Sequence, residues 1–293
     1  MTTAYSSIQK NSTKILLFPG TRSYAIRHKF FLSLFLLLFF QPALFAQNPA
    51  LRDSVEGNKY DFTQFGNETW SFIKQPTKWD GSDWFKVGLI GAGSFLLVET
   101  VDQPARDLAF QDRSYVRSVP IEAGRIWGEM YSPVLLFAGF ATHSLITNDN
   151  STRKIAYEIG QSCLYAGAME YILKSAIGRA RPYLNQGKSS YRLFTLDDDY
   201  HSFPSGHSAA AVAISTVLSR NVGPTWLKIL VYLPAAITPV SRVYEDMHWV
   251  SSCFIGSAIG YFVSDWVVDL HERNESRVHV SSILPLTISV TLN

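Results

Sequence analysis

The sequence predicts an all-α protein, a helical bundle of about six core helices, and three observations predict it. Hydrophobic residues make up 47% of the 293 positions and aromatics 14%, against 17% charged, which suits an apolar bundle or a membrane-associated protein. Between residues 83 and 271, apolar segments of helical length follow one another with short polar or proline-containing breaks. One of them, the Ala-rich run from Ala209 to Leu218, is preceded by Pro204-Ser205-Gly206, a turn and N-cap signal. No internal repeat or low-complexity tract is visible.

The elements follow in chain order. Arg22, Arg27, His28 and Lys29 precede the apolar run Phe30 to Phe40, and small residues surround Ala46. That pattern predicts a secretory signal over residues 1–46, with an uncleaved anchor as the alternative. Residues 47–82 read as a linker with a short amphipathic element around Thr69–Lys74. The main domain, 83–272, holds helices at about 83–99, 104–113, 121–146, 152–178, 207–220, 224–241 and 249–271. In the tail, 273–293, apolar and hydroxyl residues alternate from Leu286 to Leu292, which predicts a β-like segment pairing with Val278–Leu284 around Pro285.

Charge and cysteine usage narrow the function classes. A net charge of +2 with no long basic run excludes a nucleic-acid partner. The two cysteines, Cys163 and Cys253, lie in apolar segments and read as buried thiols; their spacing fits no metal site. The longest uncharged windows, Tyr131–Asn148 and Trp249–Ser264, sit at or below the roughly 20 apolar residues of a membrane span. A cell-envelope protein embedded in the membrane or lying on it is therefore the expectation. Trp70, Trp79, Trp84, Phe85, Trp249 and Trp266 are candidates for its interface, with burial as the other reading.

Three short stretches carry chemistry. In the first, Lys174 and Arg181 are seven residues apart, which on one continuous helix would put both cations on one face, and Pro182 marks the exit. Alone, this also describes two solvated basic residues at a helix end. In the second, Ser205 and Gly206 open a helix whose free N–H groups and dipole form an anion cradle, with His207 in its first turn. In the third, Arg242 and His248 are six apart, out of phase on one helix, so a loop at Tyr244-Glu245-Asp246 is expected between them. Together they supply three cations, two imidazoles and a Ser-Gly turn, the set needed to bind a tetrahedral oxyanion and transfer it to histidine.

These stretches resemble the signature of the type-2 phosphatidic acid phosphatase and vanadium haloperoxidase superfamily. Its pattern is matched at Lys174, Arg181, Pro182, Pro204, Ser205, Gly206, His207, Ser241, Arg242 and His248. The resemblance implies a phosphatase that hydrolyses phosphate monoesters or diphosphates, of a lipid, an isoprenoid or a small phosphate ester, through a phosphohistidine intermediate on the extracytoplasmic (periplasmic) side of the envelope. It implies His248 as nucleophile and His207 as acid and base, with Lys174, Arg181, Ser205, Gly206 and Arg242 holding the phosphoryl oxygens. No cofactor and no metal enter this scheme. A catalytically degenerate phospholipid-binding or structural envelope protein and a vanadium-dependent haloperoxidase are the alternatives.

One position departs from the pattern. The family's final Asp, which accepts a hydrogen bond from the nucleophilic imidazole, falls on Ser252. Ser252 as a weaker orienting partner, or Asp246 or Glu245 reaching back from the preceding loop, are the expected substitutes. In the serine-protease precedent, neutralising the analogous Asp costs roughly 10⁴ in kcat.

Overall fold

The computed structural model describes residues 59–276, 278–280 and 288–290. The signal segment expected at 1–46 lies outside the described residues. Ten α-helices run in order among those described. They are α1 Phe62–Ile73, α2 Gly81–Thr100, α3 Asp102–Gln111, α4 Val119–Gly128, α5 Tyr131–Thr147, α6 Asn150–Ile177, α7 Gly206–Asn221, α8 Thr225–Leu230, α9 Leu233–Tyr244 and α10 Val250–Ser276. Val278–Val280 and Ile288–Val290 pair antiparallel as β1 and β2, with Val278 opposite Val290. The fold is all-α, as expected.

The boundaries differ from the sequence expectation where a local break outweighs apolar continuity. The helix expected at 121–146 is two helices, α4 and α5, bent by 68° about Glu129 and Met130. The helix expected at 224–241 is also two, the short α8 and then α9, whose first turn carries Pro234. Pro at that position lacks an N–H that a first turn leaves unused, so it starts a helix readily and does not continue one. The expected linker contains α1, which Asp61 caps by accepting from the Gln64 N–H. Phe65 and Phe72 of α1 pack on Tyr165 and Ala166 of α6 and on Val263 and Val267 of α10. Beside them the buried His271 of α10 lies between the carboxylates of Glu158 (3.1 Å) and Glu68 (3.2 Å), joining α10 to α6 and α1.

Helix α7 is the centre of the bundle, in contact with α4, α6, α8, α9 and α10. Its apolar residues Ala211, Ala213, Ile214, Val217 and Leu218 are fully buried. The closest neighbour is α10, and the reason is two glycines one helical turn apart. A Cβ on Gly256 would run into the Ser205 carbonyl, and one on Gly260 into the Ala209 carbonyl. Backbones can come this close only where side chains are absent. This contact fixes the entry of α7 against α10.

The outside of the bundle is strongly apolar. Phe85, Phe95 and Leu96 on α2, Leu145 and Ile146 on α5 and Ile172 on α6 are exposed. Helix α10 is long and apolar enough to cross a membrane over Val250–Asn274; α2 with α3, and α4 with α5, meet that standard only as bent pairs. An apolar exterior of this extent on a helical bundle is the mark of a membrane-associated protein. Trp70, Trp84 and Phe85 are exposed on it, whereas Trp249 is buried and donates to the Ala180 carbonyl at 3.0 Å, so it belongs to the core. Cys163 and Cys253 are free thiols.

The glycine contact generates the first prediction. Gly256→Ala should lower stability by about 1–3 kcal/mol, the cost of overpacking against atoms that cannot step aside. Thermal unfolding of the purified protein checks this, and Gly91→Ala, where a Cβ meets open space, is the control.

Candidate active site

The first motif does not stay on one helix. Helix α6 ends at Ile177, and Gly178 turns the chain with a left-handed φ of 58°, donating to the Lys174 carbonyl. Lys174 therefore sits in the last helical turn and Arg181 in extended chain beyond it, correcting the shared helix face expected from their spacing. Backbone hydrogen bonds attach the segment to its surroundings: Ser202 N–H donates to the Arg179 carbonyl (3.0 Å) and Tyr183 N–H to the Asp246 carbonyl (3.2 Å). Arg181 itself holds the Asp198 carboxylate and carbonyl, yet its Nη1 is buried without a hydrogen-bond partner.

The second motif opens α7 as expected. After a cis Phe203–Pro204 bond, Ser205 caps the helix, its side chain accepting from the Ser208 N–H, while its own N–H donates to the Ser252 carbonyl at 2.9 Å. The N–H groups of Gly206 and His207 stand in the first turn, where helix geometry provides no acceptor. Gly128 at the end of α4 lies against the His207 carbonyl, so the next residue, Glu129, brings its carboxylate to 3.6 Å from His207 Nε2.

The third motif breaks where expected. Helix α9 ends at Tyr244, Asp246 takes a φ of 60°, and the N–H groups of Met247 and His248 return to the Arg242 carbonyl. Arg242 remains on the last turn of α9, its guanidinium hydrogen-bonded to Glu245 at 2.8 Å. His248 precedes α10 and is buried, its ring 6.0 Å from that of His207.

The orienting partner of His248 is one the sequence reading missed. Its Nδ1 is 2.7 Å from the Ser202 carbonyl. A carbonyl only accepts, so Nδ1 carries the proton and Nε2 presents its lone pair. None of the three expected substitutes stands there, Glu245 being paired with Arg242. Asp246 is engaged by both Nε and Nη2 of Arg106, at 2.7 and 2.9 Å, and the Ser252 hydroxyl instead faces Arg179 Nη1 at 3.3 Å. Arg179 is the second residue missed. Fully buried, it binds Asp102 (2.7 Å), the Ser251 hydroxyl (2.7 Å) and the Lys188 carbonyl (2.6 Å). Only its place inside the Lys174 to Arg181 segment hinted at it.

The electrostatics favour a neutral imidazole pair. Burial pushes the His248 pKa well below its ordinary 6.5, and the positive charge of Lys174, Arg181 and His207 pushes the same way. Burial also lowers His207; the Glu129 carboxylate works against this, while Arg242 and Lys174 reinforce it. His248 Nε2, Arg181 Nη1, Ser202 Oγ and Ser208 Oγ are all buried without hydrogen-bond partners, and all lie in or beside the motifs. Buried polar atoms are seldom left so, and unpaired buried donors in and beside the motifs suit a polar anionic ligand. The arrangement can bind an oxyanion on cations and first-turn N–H groups, and offer it a nucleophilic nitrogen.

Known proteins are similar to this chain over part of its length. Residues 157–276 match the PAP2 superfamily. Over 97 residues the chain is 34% identical to a lipid A 1-phosphatase of Porphyromonas gingivalis, covering 31% of this chain and 22% of that one. Over 137 residues it is 31% identical to the probable lipid phosphate phosphatase 4 of Arabidopsis thaliana, covering 37% and 44%. Over 149 residues it is 29% identical to a lipid A 1-phosphatase of Rhizobium etli, covering 47% and 62%. The chain thus spans less than two thirds of the length of each of these relatives. Among solved structures, Aquifex aeolicus LpxE aligns with a TM-score of 0.44 at 20% identity, over 58% of this chain and 96% of that one. A transmembrane PAP2-type phosphatidylglycerolphosphate phosphatase from Bacillus subtilis aligns with a TM-score of 0.43 at 16% identity, over 63% and 94%.

Position 252 gives a direct test. An Asp there would stand beside Arg179, already paired with Asp102, while Nδ1 of His248 is already committed to Ser202. Ser252→Asp should therefore bring no gain in kcat. Initial rates of the two proteins decide it.

Proposed function

We propose that this chain, whose residues 157–276 are a PAP2 superfamily segment, is a phosphatase that hydrolyses the phosphate ester of a membrane lipid through a phosphohistidine. The observation that carries the reading is His248: Nδ1 committed to a backbone carbonyl, Nε2 buried and free, and the positive charges of Lys174 and Arg181 acting on the ring. In the first step Nε2 attacks phosphorus in line, and the bond to the leaving oxygen breaks as His207 gives that oxygen its proton. In the second, His207 removes a proton from water, whose oxygen displaces His248 and yields orthophosphate. Lys174, Arg181, Arg242, the Ser205 hydroxyl and the Gly206 N–H hold the phosphoryl oxygens as negative charge spreads over them. The cations supply that neutralisation, so the scheme asks for no metal.

The substrate class rests on two supports. The similar curated proteins act, by name, on lipid A and lipid phosphates. The exposed apolar faces of α2 and α5 and the span-length α10 suit a site that meets its substrate at a bilayer. The exported, periplasmic side is part of the proposal and follows from the signal-like pattern around Phe30–Phe40.

The nucleophile is checked with the purified protein in detergent and a panel of lipid phosphates. His248→Ala should lose essentially all turnover, and acid-labile phosphate should be trapped on the wild-type chain and not on the variant. Turnover should persist in EDTA; activity abolished by EDTA and restored by a divalent metal would falsify the mechanism. Vanadate, which mimics the phosphoryl transition state, should inhibit.

A pH profile follows from the two histidines. His248 must be neutral and His207 protonated, and both titrate below 6.5, so kcat/KM should peak on the acid side of 6.5 and fall as pH rises through neutrality. Glu129 raises the His207 pKa, so Glu129→Gln should move the falling limb to lower pH. A limb that stays put would remove Glu129 from this role.

A further inference from the structure

The phosphoryl cradle contains a carboxylate that the proposed mechanism does not use. Glu170 lies one turn before Lys174 on α6, is buried, and forms an ion pair with the Lys174 ammonium. It also reaches the opening of α7. The three atoms nearest to a Cβ built on Gly206 all belong to its carboxyl group, Oε1 at 2.5 Å, Cδ at 3.0 Å and Oε2 at 3.5 Å. The glycine of the Pro-Ser-Gly-His turn therefore has a specific reason in this chain: a side chain there would occupy the place of the carboxylate. An anion at that point meets the N-terminus of α7, the favourable end of the helix dipole. Glu170 thus engages two groups that the mechanism assigns to the phosphoryl oxygens, the Lys174 ammonium and the opening turn of α7.

We propose that Glu170 is a positioning and specificity-determining residue of this site, holding Lys174 in place and disfavouring a doubly ionised phosphoryl group at the same point. A second negative charge brought to this cradle gains from the cations and loses to Glu170, because like charges a few ångströms apart repel strongly in a partly buried site. The transferring phosphoryl group is less affected, since in a loose, metaphosphate-like transition state its three equatorial oxygens share less charge than those of a dianion, the rest passing to the leaving oxygen. The consequence is weak retention of orthophosphate in its dianionic form, without a matching loss of turnover. This inference rests on the phosphatase reading above, and its test is separable from that one.

The measurement is competitive inhibition by orthophosphate, on the alkaline side of neutrality where its dianion predominates, of wild-type, Glu170→Gln and Glu170→Asp proteins in detergent. Glu170→Gln should lower the inhibition constant about tenfold, the scale of one screened charge interaction, and Glu170→Asp should stay near wild type. An unchanged or raised constant in Glu170→Gln, with turnover still abolished by His248→Ala, overturns the inference and leaves the phosphatase intact. A double-mutant comparison reads the contact itself: Gly206→Ala should be far less harmful in a Glu170→Ala background than in wild type. Equal harm in both overturns the placement of Glu170 against Gly206. Should the variants fail to fold, wild type alone still decides, using methylphosphonate and its monomethyl ester as inhibitors at alkaline pH. The singly charged ester should bind within a few-fold of the doubly charged parent; a large preference for the parent overturns the proposal.

Discussion

The buried ion pair between Arg179 and Asp102 is the constraint on which the arrangement of the site depends. Asp102, at the start of α3, accepts from Arg179 and from both the N–H and the hydroxyl of Ser251 at the head of α10. Arg179 in turn holds the Lys188 carbonyl, and its own carbonyl accepts from Ser202. Three separate parts of the chain, α3, the segment after α6 and the start of α10, are thereby joined around two charges withdrawn from water. Such a pair contributes little net stability when compared with apolar packing, but losing either partner leaves a buried charge unpaired and costs several kcal/mol. Its use here is geometric. It aligns the Ser202 carbonyl that receives His248 Nδ1–H.

That alignment accounts for Ser252. Where a carboxylate orients a histidine, it also stabilises the imidazolium. A backbone carbonyl fixes the same tautomer without adding charge, which leaves the imidazole neutral and available as a nucleophile. Burial and the surrounding cations reinforce this. The serine at 252 then has another function: its hydroxyl faces Arg179 and its carbonyl accepts the Ser205 N–H, linking α10 to the cap of α7.

The close approach of α7 and α10 completes the site from the other side. With Gly256 and Gly260 against the carbonyls of Ser205 and Ala209, the first turn of α7 is held at a backbone-to-backbone distance from the helix that follows His248. The first turn of α7, His207 and His248 then share one junction, while the apolar outer faces are left for the bilayer. Glu129 and Glu170 place a carboxylate beside His207 and Lys174 respectively, so each of these carries its own counter-charge.

By itself the sequence determined the helical class, the motif positions, the cap at Ser205, the break between Arg242 and His248, and the paired tail. These are local matters: apolar runs of helical length, a Pro-Ser-Gly turn and a phase mismatch are all written within a few residues. The same local reasoning failed where distant parts of the chain compete. It ran α4 into α5 and α8 into α9, because apolar continuity hides the breaks at Glu129–Met130 and before Pro234. It kept Lys174 and Arg181 on one helix, although Gly178 ends that helix and Arg181 answers to Asp198. Only the tertiary structure decided which group orients His248, because a carbonyl carries no sequence signature and Ser202 lies 46 residues away. Likewise Arg179 and Asp102 are separated by 77 residues and mean nothing alone, since two charges become a constraint only once folding removes both from water.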